Sequence, residues 1–295
     1  MNKKKLTTKR LYPMKLTLPA LIIYSIFIII PFMASIGLSF SDWNISRMYQ
    51  LEFRGLDNYI SIFKDDIFFT ALKNTLLFAA GTTVLKICAG MLLALLLLKT
   101  SRLNSVLRTI FYMPCVLSPL VIGVLFKSIL AYDGLINNFL TAIGLESLTS
   151  NWLGAYSTAM TSIIMVESWM WSGFTMFLFI AGMQAISKDY YEYADTEGVS
   201  TFNQFRYITI PLLVPSFTVV MTLSLTGGLK VFDIIYVLTG GGPGYDTQVM
   251  STYVQRAFTT GLLGQACAAT VLLSVLIVTI SFTVNRFLSK REVEM

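Results

Sequence analysis

The sequence predicts an all-α polytopic membrane protein with six transmembrane helices and a cytoplasmic helix-turn-helix elbow between the fourth and fifth. Three observations carry that prediction. Of 295 residues, 55% are hydrophobic and only 13% are charged, too few polar groups to cover a water-soluble globule of this size. The apolar residues gather into six stretches, each close to the roughly 20 residues that cross a hydrocarbon core. One polar insertion, EYADTEGVSTFNQFRYITIPLLVP from Glu192 to Pro215, interrupts them.

The first stretch, roughly residues 17–40, follows a basic tail at 1–16. Its apolar run exceeds the core of a signal peptide, and ASIGLSFSDW is a poor cleavage site, so it reads as a retained span. The segment after it carries Tyr59, Ile62 and Phe63, then Phe68, Phe69 and Leu72, at the spacing of short amphipathic helices lying at the interface. Further spans fall at roughly 76–98, 109–129, 158–183, 207–228 and 266–288, giving a membrane domain at 17–288 and a short tail at 289–295. With the N-terminus inside, the inner segments hold fourteen Lys and Arg, including Lys3, Lys4, Lys5, Lys9, Arg10 and Lys15 of the tail. The outer ones hold six: Arg47, Arg54, Lys64, Lys73, Lys230 and Arg256. This asymmetry predicts cytoplasmic termini, a cytoplasmic 184–206 and an outer 229–265.

Several chemistries are excluded. The chain has no His, and Cys88, Cys115 and Cys267 fall singly in predicted spans, so no metal site, haem ligation or His-based acid-base catalysis is expected. A membrane-embedded transferase would want His or acidic groups clustered at one membrane face. No GxxxxGK[ST] loop cradles a nucleotide, so the chain is expected to be no enzyme and to bind no cofactor itself. The formal charge of +6 reflects topology-setting segments, and no nucleic-acid partner is expected.

The polar insertion has its own local logic. Ser187 caps a helix beginning at Lys188, Asp189 suits the positive end of the helix dipole, and Gly198 supplies the left-handed residue that ends helices. Thr201 and Gln204 have the spacing of a capping box, Phe202, Phe205 and Ile208 recur at helical spacing, and Pro211 falls where the chain enters the bilayer. The product is an elbow over 187–206. It is either a solvated loop or a short helix that fits a groove on a soluble partner.

These residues resemble the coupling motif of permease subunits of binding-protein-dependent ATP-binding-cassette importers, E-A-A, then G, then I-x-L-P after a gap. Glu192, Ala194, Gly198, Ile208 and Pro211 match, whereas Tyr193 replaces the second alanine, Ile210 the last leucine, and Ser187 an upstream proline. LPALIIYSIFIIIPFMASIGLSFSDW, FRGLDNY, WMWSGFTMFLFIAGMQAI and FDIIYVLTGGGPGYDT are similar to carbohydrate permeases of the maltose and glycerol-phosphate group, and within it to the first subunit of a pair. The resemblance covers nearly the whole chain. It implies a bacterial cell-membrane location and the coupling residues Glu192, Ala194, Asp195, Gly198, Phe202 and Phe205. It also implies four kinds of partner: a second homologous permease subunit, two cytoplasmic ATPase subunits that bind ATP and Mg, an extracytoplasmic solute-binding protein, and a carbohydrate. Independently of the resemblance, Gly240, Gly241, Gly242 and Gly244 around Pro243 permit a tight outer turn.

Ionisable residues inside spans are costly and mark interior faces, which singles out Glu167 and Lys86. Trp171, Phe174 and Leu178 share a helical stripe with Glu167, and a carboxylate beside aromatic rings suits a sugar. Lys86 is assigned no role. Lys230 and Asp233, three apart, are expected to pair on a helical turn and, with Phe232, to border the outer pathway. An importer of a phosphorylated polyol would need Arg or Lys in the cavity, where the spans offer little beyond Lys86, so a neutral sugar or oligosaccharide is favoured. A secondary transporter would need inverted repeats or Gly/Pro-broken helices at mid-membrane in both halves. The sequence reading finds neither.

Overall fold

The computed structural model describes residues 17–47, 49 and 51–289. The predicted basic tail at 1–16 and most of the tail at 289–295 lie outside the described residues. The chain forms two compact units, one from the residues up to Lys64 together with Val254–Leu272, the other from Asp65–Tyr253 together with the residues from Leu273 onward.

In the first unit, α1 (Leu18–Leu38) exposes nearly all of its apolar side chains, as a lipid-facing helix does. Its turn at Ser25–Ile29 is widened to a π-helix just before Pro31, whose missing N–H relieves the ladder there. The chain then doubles back: Asp42 N–H donates to Glu52 O and Arg54 N–H to Phe40 O, both at 2.8 Å, while the Arg54 guanidinium pairs with Asp42 at 2.8 Å. Of the two amphipathic segments expected, the first forms a short helix, α2 (Asp57–Phe63), which buries Ile62 and bonds Ser39 through the Tyr59 hydroxyl at 2.7 Å, whereas Phe68, Phe69 and Leu72 belong to the first turns of the long helix over Asp66–Leu97.

The second unit is organised around α7 (Ala159–Ala185), whose most apolar stretch is 67% buried. Packed on it are α3 (Asp66–Leu97), capped by Asp65, and α4 (Arg102–Val116), capped by Ser101. Next along the chain come α5 (Pro119–Ile129) and α6 (Leu135–Ala142) before α7, then the elbow helix α8 (Lys188–Thr196) after it. The chain continues through α9 (Thr201–Leu212), α10 (Val214–Leu229), α11 (Asp233–Leu238), α12 (Met250–Thr259) and α13 (Leu263–Ser289). Cys88 is exposed on α3 instead of packed, and Cys115 and Cys267 are half-buried.

Two predicted spans are not straight. The axes of α4 and α5 meet at 97°, and those of α9 and α10 at 63°. Four helices (α1, α3, α7, α13) are long and apolar enough to cross a membrane, six if each bent pair is one span. The breaks follow from proline. Leu117 and Ser118 adopt extended ψ values of 151° and 134° ahead of Pro119, as the residue before proline prefers. In α9 a π-helical turn at Phe205–Thr209 precedes Pro211, the device already seen in α1, and Pro215 follows the bend. Each half of the chain thus holds one bent helix pair.

Glycine sets the interhelical distances. A Cβ at Gly173 of α7 would overlap the Phe111 carbonyl oxygen of α4, and one at Gly90 of α3 would lie 2.6 Å from Thr175 Cβ. Backbone cannot yield as a side-chain tip does, so Gly173→Ala is expected to force α4 off α7. The check is the thermal midpoint of the detergent-solubilised protein, which should fall by several degrees; an unchanged midpoint would refute the crossing.

Candidate functional site

Where α3, α7 and α10 converge with the linker to α11, the second unit borders a half-open cavity of about 390 Å³. Its construction begins with two costly residues. Lys86 on α3 and Glu167 on α7 are 4% and 8% exposed, and Lys86 Nζ donates to Glu167 Oε1 at 2.9 Å. Removing one partner of such a buried pair leaves an uncompensated charge, at a cost of about 3–5 kcal/mol. One turn on, Trp171 places its ring 5.8 Å from Lys86 Nζ and meets Phe174 edge-on at 5.9 Å. The opposite wall comes from Ser224 and Gly227 of α10 and from Lys230, Phe232 and Asp233. Phe232 stacks on Tyr236 at 5.1 Å.

All six predicted pathway residues, Glu167, Trp171, Phe174, Lys230, Phe232 and Asp233, therefore line one cavity. Leu178, further along the same stripe, packs against the apolar cluster around Phe179 and Leu213. Two details differ from expectation. Lys230 and Asp233 form no ion pair among the described residues, because α10 ends at Leu229 and α11 begins only at Asp233, so no helical turn joins them. Lys86, left without a role, is the partner of Glu167. The signal was present: they were the two ionisable residues singled out within spans.

The elbow forms as its glycine requires. Ser187 Oγ accepts from Asp189 N–H at 3.3 Å. Gly198 sits at φ +71°, Val199 N–H donates to Ala194 O at 2.9 Å and Gly198 N–H to Asp195 O at 3.1 Å, which is the Schellman ending. The capping box does not form. Ser200 occupies the cap position with no side-chain bond, and the buried Gln204 amide donates instead to Asp195 Oδ1 at 2.6 Å and Val199 O at 3.0 Å, tying α9 to α8. Asp195 is thus a strut. Phe205 is half-buried, but Phe202 is 68% exposed and does not hold the fold. Ala194 is buried, while Glu192 is exposed and has no partner among the described residues. Tyr190, Tyr193 and Tyr207 add exposed rings around it.

The glycine turn is built from both ends. Gly240, Gly241 and Gly244 have positive φ, whereas Gly242 does not and precedes a cis Pro243. The Thr247 hydroxyl donates to Gly242 O at 2.6 Å, and the Asn74 amide of α3 donates to Asp246 O at 2.7 Å and Gln248 O at 3.0 Å. The turn is thereby fastened to the start of α3.

Apolar helices long enough to cross a membrane, around a cavity bearing a buried ion pair, define an integral membrane protein. A family model described as "Binding-protein-dependent transport system inner membrane component" matches residues 86–293, and the chain belongs to that family of membrane permeases. It is 38% identical over 279 residues to the probable ABC transporter permease protein YurN of Bacillus subtilis, covering 93% of this chain and 94% of that protein. It is 31% identical over 277 residues to the lactose transport system permease protein LacF of Rhizobium radiobacter, covering 93% and 92%. A solved chain of a bacterial ABC transporter involved in the import of the acidic polysaccharide alginate superposes with a TM-score of 0.80 at 26% identity, covering 94% of both chains.

Proposed function

We propose that this chain is the transmembrane permease subunit of an ATP-driven carbohydrate importer. It forms half of the solute pathway beside a second, homologous subunit and carries no ATPase site of its own. The observation that carries the reading is the cavity, where a carboxylate, an ammonium group and the rings of Trp171, Phe174 and Phe232 stand together. Sugars need that mixture, hydroxyls meeting polar groups while C–H faces lie on aromatic rings. The relatives support it: one is named for lactose and another for trehalose and maltose. The cavity's two cations are matched by two carboxylates, which does not favour a phosphorylated polyol, and family membership sets aside the secondary transporter despite the broken helices.

In this reading the elbow faces the cytoplasm and docks on the ATPase subunits, which bind ATP and Mg, and the outer side receives a solute-binding protein. The fourteen-to-six asymmetry of Lys and Arg supports that orientation. The test is uptake of lactose, maltose or trehalose into vesicles holding the complete complex. Uptake of at least one is expected to require both ATP and the binding protein; uptake of none with both present refutes the function. On a background lacking Cys88, Cys115 and Cys267, Thr201→Cys should label only from the ATPase side, and labelling from the other side alone refutes the orientation.

A further inference from the structure

The buried ion pair is open on one side. Glu167 Oε1 accepts from Lys86, but Oε2 accepts nothing from the described residues, and both side chains line the cavity. A pair serving only to cancel two charges would be sealed within packed helices. Here an ammonium group with spare N–H donors and a carboxylate with a spare acceptor stand 2.9 Å apart, facing open volume, with the Trp171 ring beside them. We propose that Lys86 and Glu167 form a clasp that reads a vicinal diol of an uncharged sugar: one hydroxyl donates to Glu167 Oε2 and its neighbour accepts from Lys86 Nζ.

The chemistry fits because the oxygens of a gauche vicinal diol lie about one hydrogen-bond length apart, so neighbouring hydroxyls can meet the two groups of one ion pair. Each of the sugar's two bonds then has an ionised partner, the stronger kind. Lys86 also acts as a positioning residue, since its bond to Oε1 turns Oε2 toward the cavity. The clasp disfavours acidic sugars on this wall. A uronate would meet Glu167 as a like charge, and Lys86 is already neutralised. The inference rests on the carbohydrate-importer reading and names the chemistry that reading leaves open.

The complete complex in vesicles, with saturating loaded binding protein, tests it. The probe is whichever of lactose, maltose or trehalose the wild type carries, alongside its monodeoxy analogues, with analogue binding to the binding protein measured separately. Wild type should carry at least one analogue about tenfold more slowly than the parent, because a site built to bond a hydroxyl is left unpaired without it. The double variant Lys86→Met/Glu167→Leu, which replaces the pair by packing groups and leaves no lone buried charge, should assemble, carry the parent at least about tenfold more slowly, and lose the discrimination. A double variant with wild-type rates and ratios overturns the clasp. If the double variant does not assemble, wild type alone decides: equal rates for the parent and every delivered analogue overturn it. Wild type that carries none of the three sugars overturns the importer reading instead.

Discussion

Gly198→Val is expected to lower solute-stimulated ATP hydrolysis and transport together by at least about tenfold while the spans still insert. The residue stands at φ +71° with no atom within 4 Å of where a Cβ would lie, so the penalty is purely conformational. An L-residue there costs about 1–2 kcal/mol, and a β-branched one more. That is enough to redirect α9 relative to α8, because the Schellman bonds that end α8 depend on the left-handed residue. Glu192→Lys should give a similar loss for another reason: Glu192 is exposed and without an intrachain partner among the described residues, so reversal alters a docking contact and leaves the elbow folded. The proposed coupling role fails if both variants, assembled with their partners and binding protein in lipid, retain wild-type stimulated hydrolysis. Asp195→Ala separates strut from contact. It removes the acceptor of Gln204 and should loosen the elbow to proteolysis, which Glu192→Lys should not do.

What the sequence made legible followed from strong local rules. The helix end at Gly198, the cap at Ser187, the amphipathic Asp57–Phe63 and the apolar lengths of α1, α7 and α13 all depend on composition within a few residues, and each formed as expected, whereas α3 starts ten residues before its expected span. The stripe through Glu167, Trp171 and Phe174 was legible because ionised groups inside spans must face inward. What escaped depended on which segments meet. Lys86 and Glu167 are 81 positions apart, and no local spacing joins them. Gln204 satisfies the T-x-x-Q pattern, yet its amide finds a better acceptor nine residues back, on the preceding helix, than at its own cap. The bends at 97° and 63° were hidden because hydropathy sees apolar length, whereas the prolines at 119, 211 and 215 decide direction.

We propose that the cavity bordered by Glu167, Trp171 and Gly227 is the route of the solute, and Gly227 gives direct access to it. Gly227 lines the cavity, and a Cβ added there meets nothing within 4 Å, so a side chain at this position starts into open space and Gly227→Trp brings an indole to the cavity. The substitution also replaces the weakest ordinary helix former in α10, where glycine costs about 1 kcal/mol relative to alanine, so the fold is not expected to suffer. The decisive measurement is ATP-driven uptake of the carried disaccharide by the reconstituted complex containing Gly227→Trp, with Gly227→Ala as the size control. Gly227→Ala is expected to transport and Gly227→Trp to fall to background, both complexes holding wild-type amounts of the ATPase subunits. Uptake at the wild-type rate through Gly227→Trp would contradict it, and the solute would have to pass elsewhere.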